Sequence, residues 1–287
     1  MGLLQGISEL FPVSSLGHGV LVPALLGWHN LVSSQSKSES FFLAFLVGLH
    51  VGTAVALLVF YRAKWITFVR GLGRQVAAVP ERGVASLWRL DDPATDADYR
   101  LLFLLVIATI PVGLTGLLLE HKFRVLFAKP LAAAIFLTIN GVLLLFGERL
   151  RRGGGRHVAP RPLATLSVGG ALAIGCSQIL ALFAGISRAG ASMVAGLLGG
   201  LDHEDAANFS FLLATPVILA AGLLKVPDLF GPLGDGVRYQ TLVATLCAGV
   251  AAYFAVRFLT RYFTTRTLTP FGIYCLVVGA ACVVRFA

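Results

Sequence analysis

The chain has 287 residues, of which 57% are hydrophobic and 13% are charged, and its mean hydropathy is +0.84. This composition predicts an integral membrane protein and excludes a soluble domain with a large core. The net charge of +9 lies mostly in predicted loops, where it indicates membrane topology and anionic lipid. No nucleic-acid partner is expected, because acidic and basic residues are balanced in 62–100 and few aromatic residues lie among them.

Eight apolar segments follow one another along the chain. Two of them, about 1–27 and 163–200, are broken at Pro12, Gly17, Gly185 and Gly190. Broken backbone at membrane depth is tolerated only inside protein or beside a water-filled cavity, so both are predicted to be re-entrant helix pairs. The others approach the ~20 residues that a transmembrane helix needs. They are 41–61, 101–119, 128–147, 207–226, 239–258 and 268–286.

The order of these segments predicts an all-α polytopic membrane protein with a single membrane domain, 1–287. Each half has one re-entrant helix pair followed by three transmembrane helices, and three crossings invert the second half relative to the first. The repeats are about 1–147 and 163–287, and 148–162 is a predicted cytoplasmic connector. Only four residues precede Gln5, whereas about a dozen apolar residues precede Gln178, so the first half-helix is either short or begins upstream.

Lysine and arginine predict the orientation. They are frequent in 62–100, 148–162 and 257–267 and sparse in 120–129 and 227–238, so the first three regions are expected on the cytoplasmic side. The first re-entrant pair then enters from outside. We therefore expect a multi-pass membrane protein whose site opens to the outer side.

The two broken segments contain one motif used twice. They read Gln5-Gly-Ile-Ser-Glu9-Leu-Phe-Pro12-Val-Ser14-Ser15-Leu-Gly17-His18 and Gln178-Ile-Leu-Ala-Leu-Phe-Ala-Gly185-Ile-Ser187-Arg188-Ala-Gly190. With Gln5 aligned to Gln178, Ser14 falls on Ser187, Ser15 on Arg188 and Gly17 on Gly190. Ionisable residues in apolar sequence are costly and mark functional sites, and such sites lie where broken helices meet.

Gln5 and Glu9 are four residues apart and share one helix face. An oxygen-rich face in a membrane cavity suits a divalent cation, Mg²⁺ or Ca²⁺, with phosphate and water as its other ligands. The alternative is that Glu9 only pairs locally.

Ser14, Ser15, Gly17 and His18 follow the first break. Serine is a good N-cap, and the free N–H groups of a helix start bind anions. One of the two serines could serve only as that cap. His18 is predicted to act as general acid or base, or as nucleophile, although a membrane histidine is often only a partner in helix packing.

Gly185, Ser187, Arg188 and Gly190 form the second break. Arginine binds phosphate through two nitrogens at once, so Arg188 is the predicted substrate ligand. A structural Arg188–Glu9 ion pair is the alternative, and the two interpretations are compatible if the pair clamps a diphosphate. His50 is expected to make a packing hydrogen bond, and the alternative is that it lines the cavity.

These motifs resemble the signatures of the undecaprenyl pyrophosphate phosphatase family, also called the bacitracin-resistance family. The first family signature is a Glu or Gln, three residues, then Glu, followed by Pro-Val-Ser-Ser-x-Gly-His, and the second is Pro-Gly-x-Ser-Arg-Ser-Gly. The stretch Phe209-Ser-Phe-Leu-Leu-Ala-Thr-Pro216 is also similar. Departures are Gln5 where many members have Glu, and Ala184 and Ala189 in the second signature.

The resemblance implies removal of the terminal phosphate of undecaprenyl pyrophosphate, which regenerates the lipid carrier for peptidoglycan and other envelope polymers. It also implies that the protein lies in the bacterial plasma membrane, with its outer side periplasmic or extracellular. The candidate catalytic residues are His18, Ser15, Ser14 and Glu9. The candidate substrate ligands are Arg188, Ser187, Gly185, Gly17 and Gly190, and the metal ligands are Glu9 and Gln5. A transporter that carries a lipid phosphate across the membrane and an inactive binding homologue are the rival hypotheses. A homodimer is kept open.

Overall fold

The computed structural model describes residues 1–28, 41–90, 92, 94–127, 129–153, 161–231 and 236–287. Within these residues the regular structure is helical, without β-strands. The α-helices are α1 (Gly2–Ser8), α2 (Ser15–Leu25), α3 (Phe41–Phe60), α4 (Arg62–Ala77), α5 (Val79–Arg82), α6 (Ala97–Phe127), α7 (Pro130–Gly153), α8 (Val168–Ser177), α9 (Arg188–Leu198), α10 (His203–Lys225), α11 (Arg238–Tyr262) and α12 (Thr269–Phe286). Short 3₁₀ turns lie at Val84–Leu87, Leu163–Thr165, Gln178–Leu182 and Val226–Phe230.

Five helices in the described part of the chain are long and apolar enough to cross a bilayer. They contain the segments Ala97–Leu119, Pro130–Arg151, His203–Leu224, Arg238–Tyr262 and Thr269–Phe286. A sixth candidate is the pair formed by α3 and α4, which meet at an angle of 77° beside Tyr61. The prediction of an all-α polytopic membrane protein is therefore confirmed.

The two broken segments form pairs of short helices. Helix α1 has 7 residues, α8 has 10, and α2 and α9 have 11 each. At ~1.5 Å per residue, none of them spans the ~30 Å hydrocarbon core. This length supports the prediction of re-entrant pairs, and the inverted relation of the halves stays a prediction.

The halves pack through matched close approaches. Gly2 lies against the Ala244 carbonyl of α11, and Gly175 of α8 lies against the Ala108 carbonyl of α6, so that a Cβ atom at either glycine would clash with backbone. Gly2 lies three residues before Gln5, and Gly175 lies three residues before Gln178. The repeat therefore extends beyond the two motifs. Small residues of this kind allow membrane helices to approach closely.

The predicted connector 148–162 begins as helix, because α7 continues to Gly153. Residues 154–160 lie outside the described residues. The chain is described again from Arg161, whose backbone N–H donates to the Gly200 carbonyl at 2.9 Å.

Candidate active site

The two helix breaks are in direct contact. Ser14 adopts a φ of 69°, and its hydroxyl oxygen accepts from the N–H groups of Gly17 at 3.1 Å and Gly185 at 3.2 Å. A Cβ atom on Gly17 would lie 2.8 Å from the Gly185 Cα atom. Gly185 itself has a φ of 117°, a conformation that favours glycine. Ser14 therefore caps α2 and also joins the first break to the second.

Asn140 holds the same junction from α7. Its side-chain amide donates to the Pro12 carbonyl at 3.0 Å and accepts from the Ser187 N–H at 3.0 Å. Ser187 in turn caps α9 by accepting from the Gly190 N–H at 3.0 Å. Asn140 is fully buried. The sequence signal that could have indicated it is an amide in the middle of an apolar span, where polar residues usually bond to another helix.

Glu9 is the centre of the polar cluster. Its Oε2 atom accepts from Gln5 Nε2 at 2.9 Å and from the Ser15 hydroxyl at 2.5 Å. Its Oε1 atom lies 2.8 Å from Arg188 Nη2. The Glu9 side chain is only 5% exposed, and a buried carboxylate is tolerated when it is paired and hydrogen-bonded in this way. The Arg188–Glu9 ion pair, which was the alternative interpretation of Arg188, is thus present in the structure.

His50 joins this cluster from α3, which agrees with the alternative that it lines the cavity rather than with a packing role alone. Its Nε2 atom lies 3.1 Å from Glu9 Oε2, and its Nδ1 atom lies 2.8 Å from the Leu46 carbonyl. Both neighbours are hydrogen-bond acceptors, and a doubly protonated ring would donate to both. A helical position alone does not indicate which other segment a side chain meets, and the contact depends on how α1 docks beside α3.

The two terminal nitrogens of Arg188 differ in their hydrogen bonding. Nη2 donates to Glu9, whereas Nη1 is buried and has no hydrogen-bond partner among the described residues. A buried donor without an acceptor costs about 1–3 kcal/mol. A guanidinium held in this position is suited to binding an anion through the nitrogen that Glu9 leaves free.

His18 contacts α12. Its Nδ1 atom donates to the Ser14 carbonyl at 2.8 Å, and its Nε2 atom accepts from the Tyr274 hydroxyl at 2.8 Å. The two rings stack with centroids 5.8 Å apart. Of the predicted site residues, Gln5, Glu9, Ser15 and Arg188 therefore form one bonded group. Ser14, Gly17, Gly185, Ser187 and Gly190 build the junction beneath it, and the sequence pattern did not indicate Tyr274.

A divalent cation fits this donor set only if it brings further ligands. Glu9 Oε2 is a suitable oxygen donor, and Gln5 Oε1 would become a second one after rotation of its amide. Among the described residues, no group of three or more His, Cys, Asp or Glu side chains is arranged to hold a metal ion. Phosphate and water oxygens would have to complete the coordination.

The fold and the site together define a multi-pass membrane protein with a buried, arginine-bearing site between two broken helices. The family model described as "Bacitracin resistance protein BacA" matches residues 1–281, and the chain belongs to this family. The family resemblance of the two motifs is confirmed.

Named relatives cover nearly the whole chain. The chain is 51% identical to undecaprenyl-diphosphatase 2 of Frankia alni, with 100% of this chain and 96% of the relative covered. It is 50% identical to the undecaprenyl-diphosphatase of Mycolicibacterium paratuberculosis, with 100% and 95% covered. It is 44% identical to undecaprenyl-diphosphatase 2 of Chromobacterium violaceum, with 96% and 93% covered.

Proposed function

We propose that the protein is an undecaprenyl-diphosphate phosphatase of the plasma membrane. It hydrolyses the terminal phosphate of the C55 lipid diphosphate and regenerates undecaprenyl phosphate, the carrier used in cell-wall synthesis. The names of relatives at 44–51% identity support this activity. One arrangement carries the proposal. Arg188 Nη2 and the Ser15 hydroxyl donate to opposite oxygens of the buried Glu9 carboxylate, and Arg188 Nη1 has no partner among the described residues.

In this proposal the diphosphate binds at the junction of the two breaks. Arg188 donates to its oxygens through Nη1, and the N-termini of α2 and α9 add backbone N–H groups and two helix dipoles of the favourable sign. Gly17, Gly185 and Gly190 lack side chains, so the two breaks and α7 can pack closely around this junction. Ser187 fixes the start of α9. The long apolar chain of the substrate extends into the bilayer.

Ser15 is the proposed nucleophile. Its hydroxyl oxygen attacks the terminal phosphorus, its proton passes to Glu9 Oε2, and undecaprenyl phosphate leaves with the bridging oxygen. Water then hydrolyses the phosphoserine, which restores the Ser15 hydroxyl and releases inorganic phosphate. When Arg188 Nη1 donates to the phosphate, the guanidinium charge is shared between the substrate and Glu9, so Glu9 becomes a better proton acceptor.

His18 has two candidate roles. Through Nε2, which Tyr274 now occupies, it could act as the base for an attacking water or form a phosphohistidine itself. The Ser15–Glu9 distance of 2.5 Å favours Ser15 as the first choice. Ser14 orients His18 through its backbone carbonyl and α2 through its side chain.

A divalent cation, Mg²⁺ or Ca²⁺, is proposed to enter with the diphosphate. Glu9, with Gln5, would hold it, and its charge would offset that of the phosphate oxygens. We also propose that the site opens to the outer face of the membrane, as the arginine-rich loops predict. A homodimer stays a prediction that cross-linking in native membranes can test.

The test is phosphate release from undecaprenyl diphosphate by purified protein in detergent, with Mg²⁺, Ca²⁺ or EDTA. We expect cation-dependent release that Ser15→Ala abolishes. Ser8→Ala is the matched control, because among the described residues the Ser8 hydroxyl bonds only to the Leu4 carbonyl of its own helix, at 2.6 Å. Folded protein without release under any condition would refute the phosphatase, and lipid transport by that protein would favour the transporter.

A further inference from the structure

A groove of about 440 Å³ lies outside the candidate active site, at the end of α11 and the turn that follows. Three arginines and three aromatic residues line it. They are Arg257, Arg261, Arg266, Phe254, Phe258 and Tyr262. The turn belongs to the arginine-rich regions that are predicted to be cytoplasmic.

The lining has a cationic part and an apolar part. Arg257 and Arg261 are four residues apart and therefore share one face of α11 with Phe254 and Phe258. All three arginines are exposed, and no ion pair within the described chain involves them. Phe254 is 63% exposed and Phe258 is 52% exposed. The groove thus offers unpaired cationic groups directly beside uncovered aromatic rings.

We propose that this groove binds one acidic phospholipid of the surrounding leaflet. The phosphate of the head group meets the arginines, which form charge-assisted hydrogen bonds with phosphate oxygens. The acyl chains lie along Phe254 and Phe258. Basic pockets at the cytoplasmic ends of membrane helices recognise acidic head groups by this chemistry. A soluble phosphate would leave the two rings uncovered, so the lipid is the better match.

The groove also touches the wall of the first helix break. Phe258 stacks on Phe11 with ring centroids 6.0 Å apart and an interplanar angle of 5°. Phe11 lies between Glu9 and Pro12, and its carbonyl accepts from the Ser187 hydroxyl at 3.5 Å. A bound lipid therefore contacts a residue that packs against the site, but its binding does not depend on catalysis.

The test measures binding of dioleoylphosphatidylglycerol to the purified protein in neutral detergent, with dioleoylphosphatidylcholine as the zwitterionic reference. Native mass spectrometry of a lipid titration gives the apparent affinity. We expect the acidic lipid to bind more tightly. The variant R257Q/R261Q/R266Q should lose affinity on the order of a hundredfold, from about fivefold per arginine.

The control variant is R70Q/R82Q/R89Q, which removes the same charge from exposed arginines elsewhere on the predicted cytoplasmic side. It should bind the acidic lipid as wild type does. If the triple groove variant does not fold, Arg261→Gln alone should weaken binding about fivefold. Equal losses in both triple variants, no loss in either, or full competition by glycerol 3-phosphate would overturn the proposal.

Discussion

Substitution of Arg188 best distinguishes an effect on stability from an effect on catalysis. Its guanidinium lies 2.8 Å from Glu9, and the two side chains are 12% and 5% exposed, so solvent screens their attraction little. Removing one partner of a buried ion pair costs about 3–5 kcal/mol. Glu9 keeps Gln5, Ser15 and His50 as partners. We therefore expect Arg188→Ala to destabilise the protein by about 3 kcal/mol, the lower end of that range.

The same substitution removes the proposed ligand of the diphosphate. Loss of one preorganised group that stabilises transition-state charge lowers kcat by about 10²–10³-fold, and the loss of a full charge should reach the upper value. The assay is phosphate release from undecaprenyl diphosphate, with thermal unfolding measured on the same sample. Arg70→Ala, which removes an exposed arginine, is the control and should change neither quantity.

The double variant Glu9→Gln/Arg188→Ala completes the experiment. It removes both charges, so most of the lost stability should return, because no buried carboxylate is left without its ion-pair partner. Its activity should be no higher than that of the less active single variant, Glu9→Gln or Arg188→Ala. Full turnover by Arg188→Ala would refute the phosphate-binding role, and recovery of activity in the double variant would reduce the pair to a structural one.

Three further substitutions test the geometry of the site. Ser15→Ala should lower kcat by at least about 10³-fold and change the free energy of unfolding by about 1 kcal/mol. If this variant kept more than a tenth of wild-type activity, direct attack by water would be favoured. His50→Ala should lower kcat by about 10–100-fold without raising KM, and His50→Gln should recover most of it because an amide can still donate to Glu9. Gly17→Ala should cost about 1–3 kcal/mol, since the new methyl group would meet the Gly185 backbone. Gly19→Ala is its control, because the nearest atom of a described residue would lie 3.9 Å from its new methyl group. Equal unfolding midpoints for both variants would contradict the close contact at Gly17.

The all-α membrane architecture and most residues of the candidate site could be predicted from the amino-acid sequence. Apolar segments of spanning length can satisfy their backbone in lipid only as helices, so the described spans follow from hydropathy. The motif repeat predicted a site where the two broken helices meet, and there Glu9 of the first segment forms an ion pair with Arg188 of the second. Costly ionisable residues in apolar sequence have few explanations other than a site, which is why these residues were identifiable without coordinates.

The hydrogen-bond partners of the site residues could be assigned only from the packed helices. The sequence offered two serines after the first break, and only the packed junction assigns Ser14 to the cap and Ser15 to the carboxylate. His50 and Asn140 come from α3 and α7, and their contacts depend on helix docking rather than on local periodicity. His18 turns to Tyr274, more than two hundred residues away in sequence. Hydrogen bonds extend only about 3 Å, so they are set by the positions of packed helices, which local patterns of hydropathy do not encode.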